Sequence, residues 1–212
     1  MRALPERILC LVTDLDRAGG EANMLRIVRD AVRGGVNMVQ VRAHEQDESS
    51  LKAFAGEVVT VARDATQDVI VVVNGPPQVA VESGADGVHM REQSTLVRSE
   101  LPSGLLAGRS VHSLQAASAA NGEGVNYIIL GTVFPSASHP IGPIGGCDMV
   151  SLVAQELPVA VIGIGGITAK NADQVIAAGA VGVALIGAII GAHNSFEAAR
   201  ALSAGLGIEK KR

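Results

Sequence analysis

Aromatic residues are scarce in this sequence of 212 residues, which has no Trp, one Tyr and three Phe. A large core must therefore be packed from the aliphatic side chains that dominate its 48% hydrophobic fraction. Richness in Val and Ile is typical of parallel strands that are buried on both faces. The composition thus predicts a single α/β domain spanning 1–212.

Other absences narrow the function. The two cysteines, Cys10 and Cys147, fit neither a disulfide framework nor a zinc-binding spacing, and we expect reduced thiols. The formal net charge is -4, and the one basic run, at 210–212, does not predict nucleic-acid binding. No apolar run reaches the length of about 18 residues that spans a bilayer, and no leader pattern opens the chain. We expect a cytoplasmic protein without nucleic-acid or membrane partners.

Apolar runs of strand length alternate with helical patterns along the chain. The eight runs lie at 8–13, 36–42, 69–74, 86–90, 105–111, 125–130, 159–163 and 182–186. The helical pattern after the fourth run, at 95–100, is weak, and a loop rich in Gly, Pro and Ser at 131–146 follows the sixth. Eight βα units in a chain of this length predict an α/β fold, namely a single (β/α)8 TIM barrel.

Polar residues and glycines end these strands, and in a parallel barrel the strand ends meet at one face. The candidates for binding a small-molecule substrate are Gln40, Arg42, Asn74, Gly131, Gly165, Gly166, Ile186 and Gly187, and Ser110 is a further pocket candidate. The glycine loops after the seventh and eighth strands suit a phosphate, which backbone N–H groups bind at this place in many barrels. Arg42 is either an anion ligand or a solvated surface arginine.

His112 is the candidate acid/base, because imidazole accepts and donates protons near neutral pH. His89 lies between apolar neighbours, which is more typical of a core histidine than of a pocket residue, and both interpretations stay open. His44 and His139 fall in loops, where we expect surface residues. Glu92 is an isolated candidate for a metal ligand, so we expect neither a metal nor a cofactor.

The sequence resembles the thiamine phosphate synthase superfamily, whose members are (β/α)8 barrels. The motifs that carry the resemblance are Leu-Val-Thr-Asp (11–14), Val-Gln-Val-Arg (39–42), Gly-Ala-Asp-Gly-Val-His (84–89), Gly-Thr-Val-Phe-Pro (131–135), Ile-Gly-Gly-Ile (164–167) and Ile-Gly-Ala-Ile (186–189). The resemblance also implies a homodimer.

The residues of the synthase diphosphate site are missing. Its Asn-Asp-Arg motif is Asn-Gly-Pro here (74–76), and its Gly-Gln-x-Asp motif is Arg-Glu-Gln-Ser (91–94). His44 and His139 replace two lysines of the superfamily pattern. Each such electrostatic contact is typically worth a few kcal/mol in a transition state. The resemblance therefore implies chemistry other than magnesium-dependent diphosphate release.

The thiazole tautomerase branch of the superfamily, named TenI, matches better. Its Gly-Arg-Ser-Val-His-Ser-Leu motif is unchanged at 108–114, and the histidine assigned there as acid/base is His112. The branch implies metal-independent aromatisation of a thiazole phosphate carboxylate in thiamine biosynthesis. Pro76, Pro77 and Arg91 depart from the pattern. Two alternatives stay open: a transferase like thiamine phosphate synthase, and a non-catalytic barrel that binds a thiazole or thiamine phosphate and regulates another process.

Overall fold

A computed structural model describes residues 2–43, 46–135 and 144–208. Eight parallel strands close into a barrel in sequence order, with the last strand paired to the first. The strands are β1 (Ile8–Val12), β2 (Met38–Val41), β3 (Ile70–Val73), β4 (Gly87–Met90), β5 (Leu106–Val111), β6 (Tyr127–Gly131), β7 (Ala160–Ile164) and β8 (Gly182–Leu185). The predicted (β/α)8 TIM barrel is confirmed.

Helices surround the barrel. Those of the described ranges are α1 (Leu15–Ala18), α2 (Glu21–Gly34), α3 (Glu48–Ala65), α4 (Pro77–Glu82), α5 (Leu114–Gly122), α6 (Gly146–Glu156), α7 (Ala172–Ala177), α8 (Gly187–Ile190) and α9 (Ser195–Gly205). Within these ranges, none of the helices combines the length and the apolar character that a membrane span requires.

The strands separate two apolar layers, which explains why they are apolar almost throughout. One cluster fills the barrel and includes Cys10, Met38 and Val72, together with the fully buried Tyr127. The other cluster lies between the barrel and its helices and includes Val39 and Phe54. Because successive strand residues point to opposite faces, each strand supplies both layers.

The fourth βα unit differs from the prediction. The segment predicted as a weak helix at 95–100 contains one 3₁₀ turn, Arg98–Glu100, and no α-helix. The guanidinium of Arg109 accounts for this, because it donates hydrogen bonds to the carbonyls of Ser94 and Leu96, which in a helix would accept from backbone N–H groups. The connection between β4 and β5 is therefore an irregular segment tied to the barrel.

Helix α1 was not predicted. It begins after Asp14, whose side chain accepts a hydrogen bond from the backbone N–H of Arg17. A second short helix, α8, follows the eighth strand. His44, His139 and the middle of the predicted loop at 131–146, residues 136–143, lie outside the described residues.

Candidate active site

A cavity of about 790 Å³ opens at the carboxyl ends of the strands. It brings together most of the residues that the sequence nominated, namely Gln40, Arg42, Asn74, Ser110, His112, Gly131, Gly165, Gly166, Ile186 and Gly187. His89 is not among the lining residues. The strand ends of a parallel barrel thus converge on one site, as expected for this fold.

Two glycines after β7 form part of the cavity wall. Gly165 and Gly166 have φ angles of 104° and 61°, which side chains other than glycine rarely adopt. A Cβ on Gly165 would lie 2.5 Å from the Thr132 Cγ2, and a Cβ on Gly166 would overlap the backbone of Pro135. The loop after β7 therefore packs directly on the loop after β6 and exposes backbone to the cavity.

Three arginines, Arg17, Arg42 and Arg91, line the same cavity. Arg42 donates to the Asp14 Oδ2 at 2.9 Å. Burial lowers the pKa of Arg42, the carboxylate of Asp14 opposes this, and the charges of Arg17 and Arg91 lower the pKa further. The site is therefore cationic and suits a ligand with more than one anionic group.

Sequence reasoning missed Arg17. Its Nη1 would lie 3.1 Å from a Cβ placed on Gly187, so the guanidinium borders the glycine loop that was predicted to bind phosphate. The sequence signal that could have indicated it is Asp14, a residue type that often begins helices and here caps α1.

His112 is paired with a carboxylate. Its Nδ1 lies 2.6 Å from the Glu92 Oε2, and the two side chains, 55% and 29% exposed, both line the cavity. The sequence had suggested Glu92 as an isolated metal ligand. The structure instead gives it an imidazole partner, so the site contains an acid/base group with a carboxylate behind it.

His89 belongs to the core, which is the interpretation that its apolar neighbours favoured, and it does not line the main cavity. It is 1% exposed, and burial, aided by the charge of Arg109, lowers its pKa to about 3. The imidazole is therefore neutral at physiological pH. It borders a smaller neighbouring cavity of about 430 Å³.

A buried hydrogen-bonded chain links His89 to the main cavity. The His89 Nδ1 lies 3.2 Å from the Tyr127 hydroxyl, and the Nε2 lies 2.8 Å from the Ser110 Oγ. Burial raises the pKa of Tyr127 well above 10, so the phenol keeps its proton and can donate it to the Nδ1. The His89 Nε2–H then donates to Ser110, whose own hydroxyl proton is left for a ligand.

The structure explains several residues of the motif at 108–114. A Cβ on Gly108 would overlap the ring of Tyr127, so glycine makes room for the phenol that reaches His89. Arg109 is 5% exposed, pairs with Glu123 at 2.9 Å and holds the segment that carries Glu92. Ser113 begins α5 by accepting a hydrogen bond from the backbone N–H of Ala116. Sequence reasoning had given Arg109 no role.

Known proteins are similar to this chain in sequence and in architecture. The family described as thiamine monophosphate synthase (TMP-TENI) has a model that matches residues 9–189. The chain is 36% identical over 199 residues to the thiamine-phosphate synthase of Roseiflexus castenholzii, covering 92% of this chain and 86% of that protein. It is 34% identical over 205 residues to the thiamine-phosphate synthase of Chlorobium luteolum, covering 93% and 92%.

A solved structure agrees. The thiamine phosphate pyrophosphorylase from Pyrococcus furiosus superposes with a TM-score of 0.84 at 26% identity, over 95% of this chain and 96% of that one. These relatives are named thiamine-phosphate synthase or pyrophosphorylase, and none of the three is named as a thiazole tautomerase. The chain belongs to the thiamine monophosphate synthase family.

Proposed function

We propose that this member of the family is a metal-independent thiazole tautomerase, which aromatises a thiazole phosphate carboxylate in thiamine biosynthesis. The observation that carries the proposal is the pairing of His112 with Glu92 inside a cavity lined by three arginines. The cavity thus combines one group able to move a proton with cationic groups for an anionic substrate.

The reaction requires one proton to change place. The proton on the ring carbon that bears the carboxylate leaves to the Nε2 of His112, and the electron pair of that bond becomes part of the aromatic ring. The electron pair of the exocyclic double bond then takes the proton back from the Nε2. The imidazole returns to its starting charge, and no oxidant or co-substrate is needed.

The glycine loops and the arginines divide the binding between them. The backbone N–H groups at Gly165, Gly166, Ile186 and Gly187 hold the phosphate, and Arg17 supplies its countercharge. Arg42 binds the carboxylate, while Gln40 and Asn74 orient the ring and the backbone of Gly131 contacts it. Ser110 donates its hydroxyl proton to an acceptor on the ligand.

Among the described residues, the donors around the cavity are a poor match for the magnesium ion that diphosphate chemistry in this superfamily uses. In the described part of the chain, Glu92 is the one carboxylate that lines the cavity, and His112 engages it. The same residues offer no group of three His, Cys, Asp or Glu side chains placed to hold a metal. Magnesium in such sites usually takes one or two carboxylates besides the substrate phosphates.

The names of the relatives favour a second candidate, a thiamine-phosphate synthase-like transferase. The two activities need different assays of the same purified protein. A tautomerase accelerates aromatisation of the thiazole phosphate carboxylate in the presence of EDTA. A synthase releases diphosphate from the two synthase substrates and requires magnesium to do so.

A His112→Asn variant tests the residue assigned to the chemistry. Its aromatisation rate should fall by about 10²- to 10⁴-fold, the usual contribution of one acid/base group. His193→Asn, an exposed histidine outside the cavity, is the matched control and should keep the full rate. Binding of thiazole phosphate without proton exchange would instead indicate the regulatory barrel, and magnesium-dependent diphosphate release would indicate the transferase.

A further inference from the structure

We infer that Glu92 is a positioning residue that fixes the tautomer of His112, so that the Nε2 of the ring, and not the Nδ1, exchanges protons with the substrate. The inference rests on the proposed function of His112 and adds to it a residue with no assigned role. It concerns a side chain at the end of β4 that acts through its neighbour at the end of β5.

The barrel register brings the two side chains together. Strands β4 and β5 are adjacent and parallel, and Met90 pairs with Arg109. Glu92 lies two residues past Met90, in the turn that follows β4, and His112 directly follows Val111, the last residue of β5. A carboxylate at position 92 is therefore within reach of an imidazole at position 112, and the 2.6 Å separation of the Oε2 and the Nδ1 shows that they meet.

The hydrogen bond selects one form of the ring. An ionised carboxylate is an acceptor without a proton, so the Nδ1 must carry the hydrogen that joins them. In the neutral ring the Nε2 then has the lone pair that accepts a proton from the substrate. When the Nε2 has accepted it, the carboxylate faces a positively charged ring and stabilises it.

The backbone of Glu92 is anchored independently of His112. The Arg109 Nη1 donates to the Glu92 carbonyl at 3.3 Å and to the Ser94 carbonyl at 3.0 Å, and the Nη2 donates to the Leu96 carbonyl at 2.6 Å. The carboxylate is thus attached to a segment that β5 itself holds in place. This support is what orientation of an exposed imidazole requires.

Variants of Glu92, a control variant and two measurements test the inference. Glu92→Ala removes the acceptor, Glu92→Gln keeps a neutral acceptor, and Glu100→Gln removes an exposed charge from the same connection as a control. Nitrogen-15 NMR reports which ring nitrogen of His112 carries the hydrogen when the imidazole is neutral, with His112→Asn identifying the signals. Aromatisation kinetics report kcat and KM separately.

We expect the Nδ1–H form in the wild type and in Glu100→Gln, and a shift to the Nε2–H form in Glu92→Ala. The kcat of Glu92→Ala should fall by about 10- to 100-fold, the range found when a metal-bound histidine loses the partner that orients it, while KM changes little. Glu92→Gln should recover part of the loss, because its amide oxygen still accepts from the Nδ1.

An unchanged tautomer in Glu92→Ala, or a kcat equal to that of the wild type, would overturn the inference. The NMR measurement needs no turnover, so it separates the two proposals. A wild type that shows the Nδ1–H form but no aromatisation would contradict the proposed function and leave the positioning of His112 by Glu92 supported.

Discussion

Loss of Arg109 should destabilise the protein and release the segment that carries Glu92. Its side chain is 6% exposed, and it pairs with Glu123 while binding the carbonyls of the β4–β5 segment. Replacement by Met keeps an apolar chain of similar length and removes the whole guanidinium. Glu123 then loses its partner, and the segment that carries Glu92 loses its anchor.

The magnitude follows from the exposure of the two partners. Breaking a buried ion pair on one side typically costs about 3 to 5 kcal/mol. Glu123 is 29% exposed and regains part of its hydration, so the lower limit of about 3 kcal/mol applies. In a chain of this size, where 1 kcal/mol corresponds to about 2–4 °C, the melting temperature should fall by about 6–12 °C.

Thermal unfolding followed by circular dichroism measures the fall, and Arg200→Met is the control. Arg200 pairs with Glu197 at 2.7 Å, but its side chain is 63% exposed, so its loss should cost less than about 1 kcal/mol. Hydrogen exchange should also accelerate at 91–97 in Arg109→Met. Equal melting temperatures for the two variants would refute the anchoring role of Arg109.

Two further changes test the core beneath the site. The pKa of His89 is about 3 in the folded protein and 6.5 ordinarily, so between these pH values the unfolded chain binds a proton at His89 and the folded protein does not. The contribution of His89 to the free energy of unfolding should be full above pH 6.5 and should fall toward pH 3 by up to about 1.4 kcal/mol per pH unit. Urea unfolding measures this dependence, which should be flatter in His89→Gln. Gly108→Ala should cost about 1 to 3 kcal/mol by overpacking against Tyr127, and an unchanged melting temperature would contradict that contact.

The strand positions were predictable because alternation of apolar runs and helical patterns is a local signal. The observed strands lie within the predicted runs to one or two residues, except that Gly131 and Ile164 extend β6 and β7 past them. The absence of an α-helix at 95–100, after β4, was not predictable in the same way. Arg109, 15 and 13 residues from Ser94 and Leu96, decides the conformation of that segment through tertiary hydrogen bonds.

The site was predictable as far as strand ends determine it. Residues such as Gln40, Ser110 and His112 follow from the rule that strand ends of a parallel barrel converge. The sequence did not predict Arg17 as a site residue because it lies in α1, one turn beyond the strand end. It did not predict Glu92 as the partner of His112 because no sequence pattern distinguishes a hydrogen-bonding carboxylate in a loop from a metal ligand.

The central claim is that His112 moves the proton, and aromatisation in deuterium oxide tests it most directly. The His112 side chain is 55% exposed, so the proton held on its Nε2 exchanges with solvent in competition with its return to the substrate. We therefore expect the wild type to form a product with deuterium on the former exocyclic alkylidene carbon, at a rate far above that of the uncatalysed reaction. Folded His112→Asn should form it at a rate about 10²- to 10⁴-fold lower. The same rate of deuterium incorporation in the folded variant as in the wild type would contradict the account.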